Sequence, residues 1–286
     1  MAKINFLLLI ISLSSCSSIP KKASSLADAP SQTHVIFGGS FDPPTKSHLR
    51  LITRLMHRED FFESTLMVAM PYKKESENNG VNLELTKLAM EDMPQILKLE
   101  EIPYSEFNIT TDGCAEWVEL SAKVFHLCPS DLEYKEKIFE DTSKTLKRLN
   151  EIYPNGARNL FWVAGTDVLN SITTWPNWKE LFALTHWVLI PRGDVTAMTL
   201  DVSTKLPADF LAGYTRSTDG KSVQYKNNDS TKPDIFIQDE SVLPGSSSEA
   251  RKMIREQGGK GLDTLLTERV IMKIYEKGYY KEIRKK

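Results

Sequence analysis

Phe37-Gly38-Gly39-Ser40-Phe41-Asp42-Pro43-Pro44-Thr45-Lys46-Ser47-His48 is the stretch on which the reading of this chain turns. The apolar run His34 to Phe37 leads into it and reads as a buried strand. A helical pattern follows, with Leu49, Ile52, Leu55 and Met56 on one face. The order is strand, glycine turn, proline-stiffened loop, helix start. Such a junction brings backbone N–H groups and a helix N-terminus to one point, which suits a phosphate. Gly38 and Gly39 let a bound group approach the backbone closely. Pro43 and Pro44 fix the loop and cannot continue a helix. Thr45 can cap the helix, and His48 then lies one turn in, on the phosphate side. Taken alone, the same residues also describe an ordinary turn carrying a surface histidine.

The chain has 286 residues, 41% hydrophobic and 26% charged, a soluble globular balance that leaves room for one large α/β domain or two small ones. Its net charge of -2 and lack of a long basic tract argue against nucleic acid as a partner. Ser64 to Met70 is a second strand-like run, and Leu83 to Met93 is helical in pattern. The region from about 104 to 137, with Trp117 and His126, reads as an inserted element. Ile138 to Ile152 has helical spacing and stops at Pro154-Asn155-Gly156. Strand candidates follow at Asn159 to Ala164, His186 to Ile190 and Asp234 to Ile237. The polar stretch Thr196 to Pro233 reads as a loop or variable excursion, and helices at Ser246 to Gln257 and Thr267 to Lys277 close the chain. Strands alternating with helices imply an α/β fold, a doubly wound and mostly parallel sheet with helices on both faces. Ligands bind such sheets at the carboxyl ends of the strands, near the switch in strand order.

The opening string resembles the GGSFDPxHxGH signature of the nucleotidyltransferase superfamily. Later segments extend the likeness. Asp141-Thr142-Ser143-Lys144-Thr145-Leu146 resembles a YTxDTL helix start. Gly165-Thr166-Asp167 with Trp175 resembles a GAD…W element. Val188 to Gly193 resembles a strand ending in RPG, Ser246 to Arg251 an SSTxIR helix start, and Leu265 to Tyr280 the closing helix. In order and spacing the pattern is similar to the nicotinate and nicotinamide mononucleotide adenylyltransferases, over roughly residues 34 to 281. The resemblance implies a Rossmann-like domain over 34–283, with excursions near 104–137 and 196–233. It implies adenylyl transfer from ATP, accompanied by Mg²⁺, to a pyridine mononucleotide, with no metal site in the protein itself.

On that likeness His48, Thr45 and Arg251 are the catalytic candidates. Gly39, Ser40, Phe41, Ser247 and Ser248 would bind ATP, the two serines with Arg251 taking the outer phosphates. Asp167 would orient substrate, Trp175 would stack on the pyridine ring, Thr142 would face the ring substituent, and Lys74 would meet a substrate phosphate. Two positions depart from the pattern. Ser47 stands in place of a glycine and is expected to crowd the nucleotide, and Lys144 stands in place of an aspartate. Other nucleotidyltransferases, acting on phosphopantetheine or using CTP, share the superfamily signature. A degenerate, exported nucleotide-binding protein without turnover is the reading from a different class.

The N-terminus motivates that last reading. Met1-Ala2-Lys3 is positive and Ile4 to Leu13 is apolar, too short to span a bilayer but suited to a signal peptide over residues 1–15. Leu13-Ser14-Ser15-Cys16 resembles a bacterial lipobox, with Cys16 lipidated, and residues 16–33 read as a flexible tether. This predicts a membrane-anchored lipoprotein facing the periplasm or exterior. A mis-assigned start would instead leave the protein in the cytoplasm. Cys114 and Cys128 pair if the chain is exported or stay as two buried thiols, and their spacing leaves both open. If the lipobox is read correctly, native protein fractionates with membranes and Cys16→Ser accumulates an uncleaved precursor. Unprocessed full-length protein in the soluble fraction refutes export.

Overall fold

The computed structural model describes residues 34–56, 65–69, 81–99, 107–109, 125–130, 132, 138, 141–152, 160–191, 195–239 and 245–280. The signal-peptide segment, Cys16 and Lys74 lie outside these. The strands are β1 (His34–Gly38), β2 (Thr65–Ala69), β3 (Phe107–Ile109), β4 (Phe125–Pro129), β5 (Leu160–Gly165), β6 (His186–Ile190), β7 (Tyr214–Thr218), β8 (Ser222–Asn227) and β9 (Ile235–Gln238). The α-helices are α1 (Lys46–Met56), α2 (Val81–Glu91), α3 (Met93–Leu99), α4 (Thr142–Ile152), α5 (Trp178–Leu184), α6 (Ala208–Leu211), α7 (Ser247–Glu256) and α8 (Glu268–Lys277).

Among the described residues these strands form one sheet in the order β3-β4-β2-β1-β5-β6-β9-β8-β7. Pairing is parallel from β3 through β9, and β8 and β7 join antiparallel. Successive side chains of the central strands go to opposite faces. Val35 and Phe37 of β1 enter one core with Leu49, Leu85, Ala250 and Ile274, from α1, α2, α7 and α8. Ile36 enters the other with Leu146, Leu181 and Phe182, from α4 and α5. Covering both faces is why β1, β5 and β6 read as unbroken apolar runs rather than alternating ones.

The chain winds outward from β1 to β2 and β4, then returns to place β5 on the other flank of β1. That reversal opens a crevice beyond Gly38 and Gly165, the carboxyl ends of β1 and β5. Two expectations change. Thr196 to Pro233 is not a loop, because β7 and β8 form a hairpin that extends the sheet. The segment near 104–137 supplies β3 and β4, the far parallel edge, in register with β2. Cys128, in β4, is disulfide-bonded, which removes the free-thiol alternative for it, and its partner lies outside the described residues.

Gly38 also has a packing reason besides the one expected. A Cβ there would lie 2.0 Å from Trp162 Cζ2 on the neighbouring strand, so the glycine makes room for an indole. Gly38→Ala forces the buried Trp162 ring to move, and overpacking of this kind costs about 1–3 kcal/mol. Thermal denaturation should show a lowered Tm for Gly38→Ala, while Gly38→Ala with Trp162→Leu should recover part of the loss. An unchanged Tm for the single variant contradicts the packing.

Candidate active site

The crevice holds two adjoining lobes that share Gly38, Gly39, Ser40 and Val168. The smaller, of about 280 Å³, is polar. His48 and Arg251 line it with Asp167 and Ser246 to Ser248. The larger, of about 470 Å³, is aromatic and apolar, with Trp162, Trp175 and Leu181 on its wall beside Thr142.

His48 is held by the start of its own helix. The backbone N–H of Thr45 donates to His48 Nδ1 at 2.9 Å, and the Thr45 hydroxyl lies 2.9 Å from the same nitrogen. The His48 N–H in turn donates to Thr45 Oγ1 at 3.4 Å. This is a reciprocal cap with an imidazole in the place usually taken by Glu or Gln. Because Nδ1 accepts from a backbone amide, the neutral ring carries its proton on Nε2. Phe41 packs edge-on against the ring at 5.1 Å and against Phe37 at 5.1 Å, from a left-handed backbone with φ of 44°. Thr45 is buried and lines neither lobe. What the structure shows for Thr45 is a hold on His48.

The opposite wall is the N-terminus of α7. Ser246 Oγ accepts the Glu249 amide at 3.1 Å, leaving the first-turn amides of Ser247 and Ser248 without intrahelical partners. Ser247 donates its hydroxyl to the Pro43 carbonyl at 2.8 Å. Arg251 Nη1 donates to the Asp42 carbonyl, and its Nη2 donates to Ser248 Oγ at 3.1 Å. From the other side Asn82 Nδ2 donates to the Ser40 carbonyl at 3.0 Å. The Tyr280 hydroxyl donates to Asp42 Oδ1 at 2.6 Å. Asn82 and Tyr280 were not among the candidates, because only the folded chain brings them to the loop, and Asp42, within the loop, was not singled out.

In the large lobe, Asp141 is the charged lining residue among those described. Burial raises its carboxyl pKa, but donors from Ser143 Oγ at 2.6 Å and the amides of Ser143 and Lys144 outweigh this and hold it below the usual range. It caps α4, a role its place before Thr-Ser-Lys already signals. Lys144 is exposed, 3.6 Å from Asp141 Oδ2, and lines neither lobe. Ser47 is buried and also outside both linings, its Oγ facing Gly245. Ser47 thus faces the Gly245 turn rather than either lobe. Ser40 lines both lobes, Gly39 likewise, and Phe41 the small one.

The family model described as cytidylyltransferase-like matches residues 36–253. A probable nicotinate-nucleotide adenylyltransferase of Desulfitobacterium hafniense is 25% identical over 260 residues, covering 89% of this chain and 98% of that one. A protein of the same name from Buchnera aphidicola is 24% identical over 256 residues, covering 87% and 97%. Among solved structures, the Plasmodium falciparum nicotinic acid mononucleotide adenylyltransferase complexed with NaAD superposes with a TM-score of 0.54 at 17% identity, covering 87% of this chain and 97% of that one. The same enzyme complexed with APC gives 0.53 at 17% identity, covering 87% and 98%. That likeness establishes the fold. The family match spans β1 through most of α7, both walls of the small lobe included, and the chain belongs to the cytidylyltransferase-like family.

Proposed function

We propose that this protein is a nucleotidyltransferase that moves the adenylyl group of ATP onto nicotinate mononucleotide or its amide, releasing pyrophosphate. One observation carries the reading. A polar lobe carrying Arg251 and an aromatic lobe meet at Gly38–Ser40, as two substrates require if they react at their junction. The names of the full-length relatives support the pyridine acceptor.

The acceptor's phosphate oxygen attacks the α-phosphorus of ATP, an O–P bond forms, and the bond to the bridging oxygen of pyrophosphate breaks. The attacking phosphate is already ionised near neutral pH, so no general base is needed. Catalysis is then positioning and charge stabilisation. His48 Nε2–H donates to the α-phosphate at the lobe junction. Arg251 and the amides of Ser247 and Ser248 hold the outer phosphates and stabilise the leaving group. Asp167 takes ribose hydroxyls, Trp175 stacks on the pyridine and Thr142 meets its substituent. Lys74 is assigned to a substrate phosphate by sequence pattern alone. Among the described residues no group of three or more His, Cys, Asp or Glu converges on one point. On this reading a divalent cation would arrive with the triphosphate, as Mg–ATP, and neutralise part of its charge.

We also propose that the chain is exported and anchored through Cys16. The order of charge, apolar run and lipobox supports this, and so does the disulfide at Cys128, a bond at home in an oxidising compartment. Export would separate the protein from cytoplasmic ATP and favours the second reading, nucleotide binding without turnover. The burial of Ser47 away from both lobes weakens that second reading.

Pyrophosphate release decides between them. The soluble 34–286 fragment, offered ATP or CTP with nicotinate mononucleotide, nicotinamide mononucleotide or phosphopantetheine, should turn over only with ATP and a pyridine acceptor. Release with another pair alone overturns the acceptor, and ATP binding by calorimetry without release supports the binding protein. His48→Ala should lower kcat by about 10²-fold or more, as expected for lost transition-state stabilisation, with a modestly lowered Tm because the Thr45 amide loses its cap. A kcat within about threefold of wild type would remove His48 from the mechanism.

A further inference from the structure

Tyr280 lines neither lobe. It follows α8 and the left-handed Gly278, is buried, and itself has φ of 63°. The neighbouring Tyr279 ties the same turn to α2, donating its hydroxyl to Glu84 Oε2 at 2.8 Å. The Tyr280 hydroxyl donates to Asp42 Oδ1 at 2.6 Å. Asp42 belongs to the signature loop but lines neither lobe. Its other carboxylate oxygen, Oδ2, stands 3.9 Å from Arg251 Nη1, which donates instead to the Asp42 carbonyl. Arg251 is thus close to a carboxylate without a charge-assisted hydrogen bond to it.

That spacing matters for a guanidinium that faces phosphates. An aspartate that closed on Arg251 would be a fixed rival for the donors a triphosphate needs. A carboxylate only accepts, so the group that restrains it must be a donor. We propose that Tyr280 is a positioning residue for the nucleotide: its hydroxyl holds the Asp42 carboxylate back from Arg251 and so leaves the guanidinium turned to the triphosphate. This rests on the small lobe being the ATP phosphate site. Burial, and after it the charge of Asp42, push the Tyr280 phenol far above its ordinary range, so it stays a donor at any working pH.

Tyr280→Phe keeps the ring and its packing and removes the hydroxyl. It should raise the KM for ATP about tenfold while leaving the KM for the pyridine mononucleotide unchanged. In an Asp42→Asn background, where no carboxylate can close on Arg251, the same change should alter the KM for ATP by less than about twofold. Three results overturn the proposal: equal shifts in both KM values, a lowered Tm with an unchanged KM for ATP, or a full tenfold effect retained in the Asp42→Asn background. Calorimetry with Mg–ATP on wild type and Tyr280→Phe separates this from the functional reading. If wild type binds ATP but transfers nothing, the proposed reaction fails. A tenfold loss of ATP affinity in Tyr280→Phe then still supports the positioning role, and equal affinities overturn it.

Discussion

A backbone that runs into two successive prolines offers carbonyls but no amides. Asp42 and Pro43 each precede a proline, so neither following nitrogen carries a hydrogen. Their carbonyls receive Arg251 and Ser247, from a helix some two hundred residues later in the chain. The Ser40 carbonyl receives Asn82 from α2. Each bond is modest, about 1 kcal/mol net for a neutral pair, yet together they leave the loop one shape. They also make two walls into one. The side chains of α7 that face the small lobe are the ones that grip the loop opposite. Neither wall of the site can therefore be placed without the other.

The same economy governs His48. Its Nδ1 closes the start of α1 by accepting the Thr45 amide, and that bond assigns the remaining proton to Nε2. A structural contact thus settles which nitrogen is a donor. The edge of Phe41 limits the ring's rotation about that bond. The left-handed backbone at Phe41 is what swings this ring back under the histidine. Thr45 holds the imidazole although it lines neither lobe. Removing its hydroxyl would loosen the imidazole rather than delete a ligand contact.

Sequence patterns served well where burial is two-sided and local. His34 to Phe37, Leu160 to Ala164 and His186 to Ile190 are apolar runs because both faces of the central sheet are covered, and they were legible for that reason. β7 reads Tyr-Thr-Arg-Ser-Thr and is exposed after its first residue, so it carries no apolar period. It is a strand because β8 pairs with it, not because of what it buries. β3 has only three residues, too few to show any period. The site divides in the same way. His48, Ser247, Ser248 and Arg251 stand in local motifs with recognisable spacing. Asn82 and Tyr280 act on the loop from 42 and 238 residues away, and only tertiary structure makes those distances short. Ser47 shows the limit of a motif, which identifies a position but not the direction of its side chain, here toward Gly245.

The two lobes differ in electrical character as well as shape. In the small one Arg251, a histidine N–H and the positive end of α7 converge, with the Asp167 carboxylate also on the lining, so donors for phosphate stand beside an acceptor for hydroxyls. In the large one the N-terminus of α4 is already occupied by Asp141, whose carboxylate takes the amides that would otherwise meet an anion. What remains there is an aromatic slot with one negative group on its wall. A pyridine ring joined to ribose through its nitrogen carries a positive charge, and flat cations favour such surroundings. On the proposed reaction, ATP phosphates are drawn to one end of the crevice and the pyridinium ring to the other. The acceptor's own phosphate then has only the shared strip Gly38–Ser40 in which to lie, beside the α-phosphorus it must attack. On this reading the donors of the small lobe and the aromatic wall of the large one orient the two substrates together.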